Sequence, residues 1–347
     1  MSAYSRGLKA PVNMGINGFG RIGRLATRVM IEDPNCNLTA INSGHEIGYM
    51  AYQLKYDTVH GRFKGSIDID GTDLIINGKR VKTWRSRNPS EIPWKDLGVE
   101  YLCESTGAFL DEQACGPHIA NGARKVVYSA PAKDATPTIV MGVNHEIYKP
   151  SMTYVSCASC TTNGLAPLVK AVHDAFGVEE GLMTTVHAMT ASQKVVDGTS
   201  KKDWRGGRGG GDNIIPSSTG AAKALGLVMP EMKGVVNGMA FRVPVSDVSV
   251  VDLTCRLSKG TSFKELCAEI KRRSEGDLNG VLGYTNEALV SQDFVSSEFS
   301  SVFDETASLM LNDRFVKLVA WYDNEYGYAC RVVDLMKYMA HKDNEAK

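Results

Sequence analysis

The chain has 347 residues, and 39 Lys and Arg balance 39 Asp and Glu, so its formal net charge at neutral pH is zero. That balance argues against electrostatically driven binding to nucleic acid or a membrane surface, and 43% apolar with 22% charged residues argues against disorder. No apolar run approaches the ~18 residues of a membrane helix, so the length predicts a globular protein of roughly two domains.

The first eleven residues, MSAYSRGLKAP, hold no apolar h-region of a secretory signal. Val12, Met14 and Ile16 then alternate as in a strand. Gly18-Phe19-Gly20-Arg21-Ile22-Gly23 follows, with Ile22, Leu25, Ala26, Val29 and Met30 at helical spacing behind it. Residues 38–41 read as a second strand, so strand, glycine turn, helix and strand compose a βαβ unit. Apolar runs at 101–103, 126–128, 139–143 and 154–157 predict further parallel strands. After Cys160, the residues Leu165, Leu168, Val169, Val172 and Phe176 mark a helix closed by Gly177. Longer strands are expected at 182–190, 239–243, 248–257 and 315–322. Amphipathic helices are expected at 263–270 and 332–339, and 200–211 is an irregular Gly- and Arg-rich stretch. The eight cysteines lie mostly in apolar segments, which reads as a reducing compartment rather than a disulfide framework.

The G-x-G-x-x-G spacing gains its force from lying between a strand and a helix. Gly18 permits the tight turn, Gly20 lets the backbone approach a pyrophosphate, and Gly23 allows close helix–sheet packing. The helix N-terminus offers N–H donors and a positive dipole end to phosphate. About 20 residues on, a carboxylate is expected to bind the ribose 2′-hydroxyl, but Ser43 stands there. Serine can bond a hydroxyl without repelling a 2′-phosphate, and nearby Glu46 could substitute as the carboxylate. NADP should therefore be tolerated alongside NAD.

Cys160 falls between a strand end and a helix start, with Ser159, Thr161 and Thr162 as capping candidates. A helix N-terminus lowers a thiol pKa and favours the thiolate nucleophile. His187 ends another strand, so a Cys/His pair forms if the two strand ends meet. Cys157-Ala158-Ser159-Cys160 is also a C-x-x-C. With no second Cys or His pair it is a poor zinc site, no metal is expected, and a Cys157–Cys160 redox pair ranks below a single nucleophile. Thr190, Arg205, Arg208, Thr219, Gly220 and Arg242 supply polar and cationic groups for an anion.

Ten ordered segments together closely resemble phosphorylating glyceraldehyde-3-phosphate dehydrogenases over essentially the whole chain. They are INGFGRIGR, ESTGAF, SAP, MGVNHE, ASCTTN, GLMTTVHA, WRGGR, NIIPSSTGAAKA, GMAFRVP and WYDNEYGY. The resemblance implies an α/β fold: a Rossmann-type dinucleotide-binding domain over 1–158, an α+β catalytic domain with a mostly antiparallel sheet over 159–325, and a C-terminal helix over 326–347 returning to the cofactor domain. It implies oxidation of glyceraldehyde 3-phosphate through a Cys160 thiohemiacetal and thioester, with His187 as acid and base. By motif match, Asn17, Gly18, Gly20, Arg21, Ile22, Gly23, Ser43, Arg87, Ser105, Thr106, Ser129, Thr199 and Asn324 serve the cofactor. Ser159, Thr161, Thr190, Arg205, Thr219, Gly220 and Arg242 handle substrate and inorganic phosphate. A homotetramer is implied, with no membrane or nucleic-acid partner, and the loop near 195–211 reaches toward a neighbouring subunit.

The chain departs from NAD-specific members at Ser43, where they carry Asp, and at Thr199, where they carry Pro. Photosynthetic, NADP-using members lose both, which makes Arg87 a candidate partner for the 2′-phosphate. It also sets a processed plastid protein beside the default cytoplasm. Gly164 stands where many members have a second cysteine. Erythrose-4-phosphate dehydrogenase and a catalytically retired scaffold are the alternative readings.

Overall fold

The alternation from Val12 forms β1 (Val12–Asn17), and the helical face behind the glycines forms α1 (Arg21–Glu32). Both belong to a computed structural model that describes residue 8, residues 10–201 and residues 203–346. Most of the opening MSAYSRGLKAP segment, and Lys347 at the end of the expected 326–347 segment, lie outside the described residues. The chain then runs through β2 (Cys36–Asn42), α2 (Ile47–Lys55), β3 (Ile67–Asp70), β4 (Asp73–Ile76), β5 (Lys79–Trp84), β6 (Tyr101–Glu104), α3 (Glu112–Ala120), β7 (Lys125–Tyr128) and β8 (Tyr154–Ser156). These strands make one sheet in the order β3-β4-β5-β2-β1-β6-β7-β8. β1 pairs in parallel with β2 on one side and β6 on the other. Strand order therefore reverses at β1, and a crevice for a ligand opens at the carboxyl ends of β1 and β6.

The run at 139–143 is not a strand. Ile139, Val140 and Met141 are buried, but pairing is limited to one isolated bridge beside them, from Thr138 to Ser156. Gly142, at φ +79°, turns the chain away before a ladder can form. A short apolar run reports burial, not hydrogen-bond pairing.

A second unit follows: α4 (Cys160–Phe176), β9 (Val178–His187), β10 (Ile215–Ser218), α5 (Ala221–Val228), β11 (Val236–Arg242), β12 (Ser249–Leu257), α6 (Phe263–Glu275), β13 (Leu282–Thr285), β14 (Ser301–Asn312) and β15 (Phe315–Tyr322). Cys160–Tyr328 with Gly142–Asn144 make up this unit, and the rest of the described chain makes up the first. Its sheet runs β10-β11-β9-β12-β15-β14-β13 and is mostly antiparallel, the β11–β9 and β13–β14 pairs being parallel. β12 alternates fully buried residues (Val251, Leu253, Cys255) with half-exposed ones. One face of the sheet is thus covered, and the other is left open around Thr184, Thr254 and Phe315, where Leu182 is exposed.

The chain ends in α7 (Tyr326–Glu345), which from Ala329 onward belongs to the first unit. Buried polar bonds fix it there. Lys337 donates to Asp33 at 2.6 Å and pairs with Asp334 at 3.0 Å. Asp343 is buried and accepts from the hydroxyls of Tyr101 and Tyr148, both at 2.8 Å, with Arg124 at 3.1 Å. Asp343→Ala would strand two buried phenols and leave cations uncompensated. It should cost about 3 kcal/mol or more, read as a lowered urea midpoint; an unmoved midpoint would show that the helix is held by its apolar face alone.

Candidate active site

The glycine turn is built as its spacing predicts. Gly18 sits at φ +98°, a backbone conformation that a side chain would strain. A Cβ at Gly23 would collide with the Gly18 carbonyl oxygen, so α1 approaches the turn as closely as glycine permits. The space in front of Gly20 is open. Gly20 caps α1 without a side-chain bond, and no acidic residue occupies the first turn, which leaves this N-terminus suited to a phosphate. Beside it, Asn17, Gly18, Asn42, Ser43, Gly44, Arg87 and Thr106 help line a cavity of about 390 Å³. Among the described residues, no carboxylate lines it. Glu46 is exposed, at 4.0 Å from Arg85, and is not part of the wall.

The other cofactor candidates support this wall or lie apart from it. Ser105 donates its hydroxyl to the Gly18 carbonyl at 2.8 Å, and the Ser129 amide bonds the Glu104 carbonyl at 3.0 Å. Arg21 is half-buried and ion-paired with Asp57; Ile22 is half-buried on α1. Thr199, exposed, and Asn324, buried, belong to the second unit.

Beneath the cavity lies a polar chain that sequence reasoning missed. Glu104, fully buried, accepts from Asn17, from the Thr106 amide at 2.8 Å, and from His118 Nε2 at 3.2 Å. The Trp94 indole donates to His118 Nδ1 at 2.9 Å, which places the imidazole proton on Nε2, facing Glu104. These bonds hold Asn17 and Thr106, two residues of the cavity wall, in place.

In the second unit, Cys160 opens α4 and His187 ends β9; Cys160 Sγ lies 3.6 Å from His187 Nε2. The expected pair exists. Ala158, two residues ahead of Cys160, adopts a left-handed φ of +58° and donates its amide to Ser156 Oγ at 3.1 Å. Burial pushes the Cys160 thiol up, against hydrogen bonds from Thr161 and the positive charge of Arg242. Loss of solvent thus outweighs the lowering expected from the helix terminus. Burial, then Arg242, pushes His187 down to about 4, opposed by its bond to the Ala188 carbonyl.

Tyr322 braces the pair. Its hydroxyl bonds Thr161 Oγ1 at 2.9 Å and Thr185 Oγ1 at 2.7 Å, and its ring stands edge-on to His187 at 6.0 Å. A Cβ at position 164 would fall 2.9 Å from the Tyr322 ring, so Gly164 lets this tyrosine seat against α4. Ser249 Oγ accepts the Ala188 amide at 3.0 Å and donates to Asn324 Oδ1 at 2.6 Å. Tyr322, Thr185 and Ser249 were also missed. Their signal was present, as polar side chains on the buried face of a strand.

Arg242 joins this cluster, with Nη1 3.0 Å from His187 Nδ1. Among the described contacts, Thr190, Arg205, Thr219 and Gly220 do not. Thr190 bonds Ser192 and Gln193, Arg205 is exposed on a single 3₁₀ turn, and Thr219 Oγ1 accepts the Ala221 amide as Gly220 caps α5. Arg208 is paired with Asp197 at 2.8 Å. Ser159 falls in the first unit, one residue before the nucleophile. None of the eight cysteines is in a disulfide, and burial raises the Cys157 thiol to about 12. At neutral pH it stays protonated, a poor attacking partner for disulfide exchange.

Residues 12–112 match the family described as glyceraldehyde 3-phosphate dehydrogenase, NAD binding domain, and residues 159–324 match the C-terminal domain of the same enzyme. The chain is 60% identical over 337 residues to the chloroplastic glyceraldehyde-3-phosphate dehydrogenase of Guillardia theta, covering 97% of this chain and 87% of the relative. It is 56% identical over 333 residues to the enzyme of Podospora anserina (96% and 98% covered). It is 56% identical over 328 residues to the cytosolic enzyme of Gracilaria gracilis (94% and 98% covered).

Proposed function

The chain belongs to the glyceraldehyde-3-phosphate dehydrogenase family, and on that premise we propose that Cys160 and His187 carry the family's reaction, the reversible oxidative phosphorylation of glyceraldehyde 3-phosphate to 1,3-bisphosphoglycerate. The observation that supports these roles most is the 3.6 Å approach of the thiol to His187 Nε2. His187 takes the thiol proton, and the sulfur adds to the aldehyde carbon as the imidazolium returns that proton to the carbonyl oxygen. The product is a thiohemiacetal. His187 then removes its hydroxyl proton as hydride departs, leaving a thioester on Cys160. A bound nicotinamide dinucleotide supplies the hydride acceptor. Inorganic phosphate attacks the thioester and releases an acyl phosphate with the thiol restored. Covalent attachment keeps the energy of oxidation in the thioester rather than losing it to water.

Ser159, Thr161, Thr190, Arg205, Thr219, Gly220 and Arg242 are assigned to substrate and phosphate; residues 159–325 form the catalytic domain in this reading. Residues 1–158 hold the dinucleotide, with 326–347 returning to them. Asn17, Gly18, Gly20, Arg21, Ile22, Gly23, Ser105, Thr106 and Ser129 form or support its cradle. Asn324, whose side-chain oxygen is engaged by Ser249, offers its amide nitrogen. A homotetramer is the assembly we infer, supported by the open sheet face around Leu182. Cytosolic and chloroplastic are the compartments in the relatives' names, and we infer the first, with a plastid as the second. No described helix is long and apolar enough to cross a membrane.

We further propose that NADP serves alongside NAD. The cavity wall offers Ser43, Gly44 and Arg87 and no carboxylate to repel a 2′-phosphate, and Thr199 stands outside the proline pattern of NAD-specific members. The test is initial rates with glyceraldehyde 3-phosphate and phosphate. kcat/KM for the two cofactors should agree within about tenfold, a gap under ~1.4 kcal/mol. Ser43→Asp should move the ratio toward NAD by at least about tenfold, since juxtaposed like charges cost a few kcal/mol. Turnover with NAD alone would remove dual use and leave the reaction assigned; no turnover with either would remove the reaction.

A further inference from the structure

Ser249 is fully buried on β12, and its hydroxyl stands between two groups. The Ala188 amide, which can only donate, bonds its oxygen at 3.0 Å, and the hydroxyl in turn donates to Asn324 Oδ1 at 2.6 Å. Its register partner on β15, Tyr322, already has Thr161 and Thr185 for its own hydroxyl. The direction of the chain is therefore set from the Ala188 end. A side-chain amide carries oxygen on one branch and nitrogen on the other, so engaging Oδ1 decides what Asn324 offers elsewhere. What remains is the NH2 group, which has no partner among the described residues although Asn324 is only 5% exposed. A buried donor left unpaired is costly, and an acceptor on a ligand would remove that cost.

The other end of the chain is the base. Ala188 follows His187, and the His187 carbonyl on the same peptide accepts from the Val243 amide at 3.0 Å. That peptide is thus held on both sides, and one hydroxyl ties it to Asn324. Taking the assignment of Asn324 to the cofactor as its footing, we propose that Ser249 is a positioning residue. It keeps the amide nitrogen of Asn324, and not the oxygen, turned toward the carboxamide oxygen of the bound nicotinamide. The partner follows from the chemistry of the ring. Asn324 is tied to the residue beside the base, so it meets the reacting end of the dinucleotide. The one hydrogen-bonding group on that ring is its carboxamide. A donor selects the carboxamide oxygen, whereas an Asn324 turned over would select the carboxamide nitrogen.

The test is calorimetric binding, to the purified full chain freed of cofactor, of NAD and of its 3-acetylpyridine analogue. In the analogue a methyl replaces the carboxamide nitrogen and the carbonyl oxygen stays. Wild type should bind the two within about threefold, because its donor meets the oxygen that both possess. Ser249→Thr keeps the hydroxyl and should keep that ratio. Ser249→Val has the shape of threonine without the hydroxyl, and both suit a strand, so the pair isolates the hydrogen bond. With valine the amide can turn over. Its oxygen then finds a donor in NAD and a methyl in the analogue, which should bind about tenfold more weakly than NAD. If the valine variant does not fold, Ser249→Ala makes the same comparison, and the wild-type ratio decides by itself. An analogue tenfold weaker on wild type would put the Asn324 oxygen on the ligand and overturn the proposal. A valine or alanine variant that keeps the wild-type ratio overturns it too. Asn324→Ala shows what falls with it: weaker binding of both dinucleotides leaves the assignment of Asn324 standing, and unchanged binding of both removes the assignment as well.

Discussion

Cys160→Ala is expected to lower kcat by at least about 10⁴-fold, or ~5.5 kcal/mol of transition-state stabilisation. The mechanism stores the substrate's acyl group on this sulfur, so without it there is neither an intermediate for phosphate to attack nor a route around it. A hydroxyl does not substitute. Serine at 160 would lack the ready ionisation that makes a thiol nucleophilic, so Cys160→Ser should fall nearly as far. Neither change should disturb the fold, since Cys160 is only half-buried at the start of α4 and its sulfur has His187 as its described partner. Urea midpoints and dinucleotide binding close to wild type would accompany the lost turnover. Residual phosphate-dependent turnover above about 1% of wild type would move the nucleophile elsewhere.

His187→Gln should cost about 10²- to 10⁴-fold in kcat, the range of a positioned general acid–base, with a smaller effect on KM. It should also change the response of stability to acid. His187 is held down to about 4, below its ordinary value of 6.5, by burial and then by Arg242. Between those values the unfolded chain binds a proton that the folded chain does not, so stability falls as the pH drops through that window. Gln cannot titrate, and its variant should lose this part of the slope in urea midpoints taken above and below the window. A variant with wild-type kcat would remove His187 from the chemistry; an unchanged slope would show that other groups govern the acid side.

The parts of the site visible in the sequence are those whose geometry is local. Gly18, Gly20 and Gly23 act within one turn, and Cys160 and His187 stand at the ends of a helix and a strand, positions that periodicity marks. Tyr322 could not be placed beside Cys160 without the order β9-β12-β15, which comes from long-range pairing. The Trp94–His118–Glu104 chain spans three separate segments and escaped for the same reason. α2 was hidden by its own surface. Only Met50 and Leu54 are buried, while Tyr49, Tyr52 and Tyr56 face solvent and blur the apolar stripe. β14, with Asp304, Glu305 and Ser308 interrupting its alternation, did not read as a strand, yet it is the longest of the sheet. The thiol was misjudged because a helix dipole is visible in a sequence and burial is not.

Ala158 has a further meaning for this geometry. A glycine there would sit in the left-handed region without strain, but it would also enlarge the unfolded ensemble, and the two effects, each about 1 kcal/mol, oppose one another. Alanine at φ +58° therefore gives stiffness rather than stability. Glycine could pass between mirror-image conformations, whereas alanine outside this well must leave it for ordinary right-handed or extended backbone. The chain ahead of Cys160 thus keeps one hand before any ligand arrives.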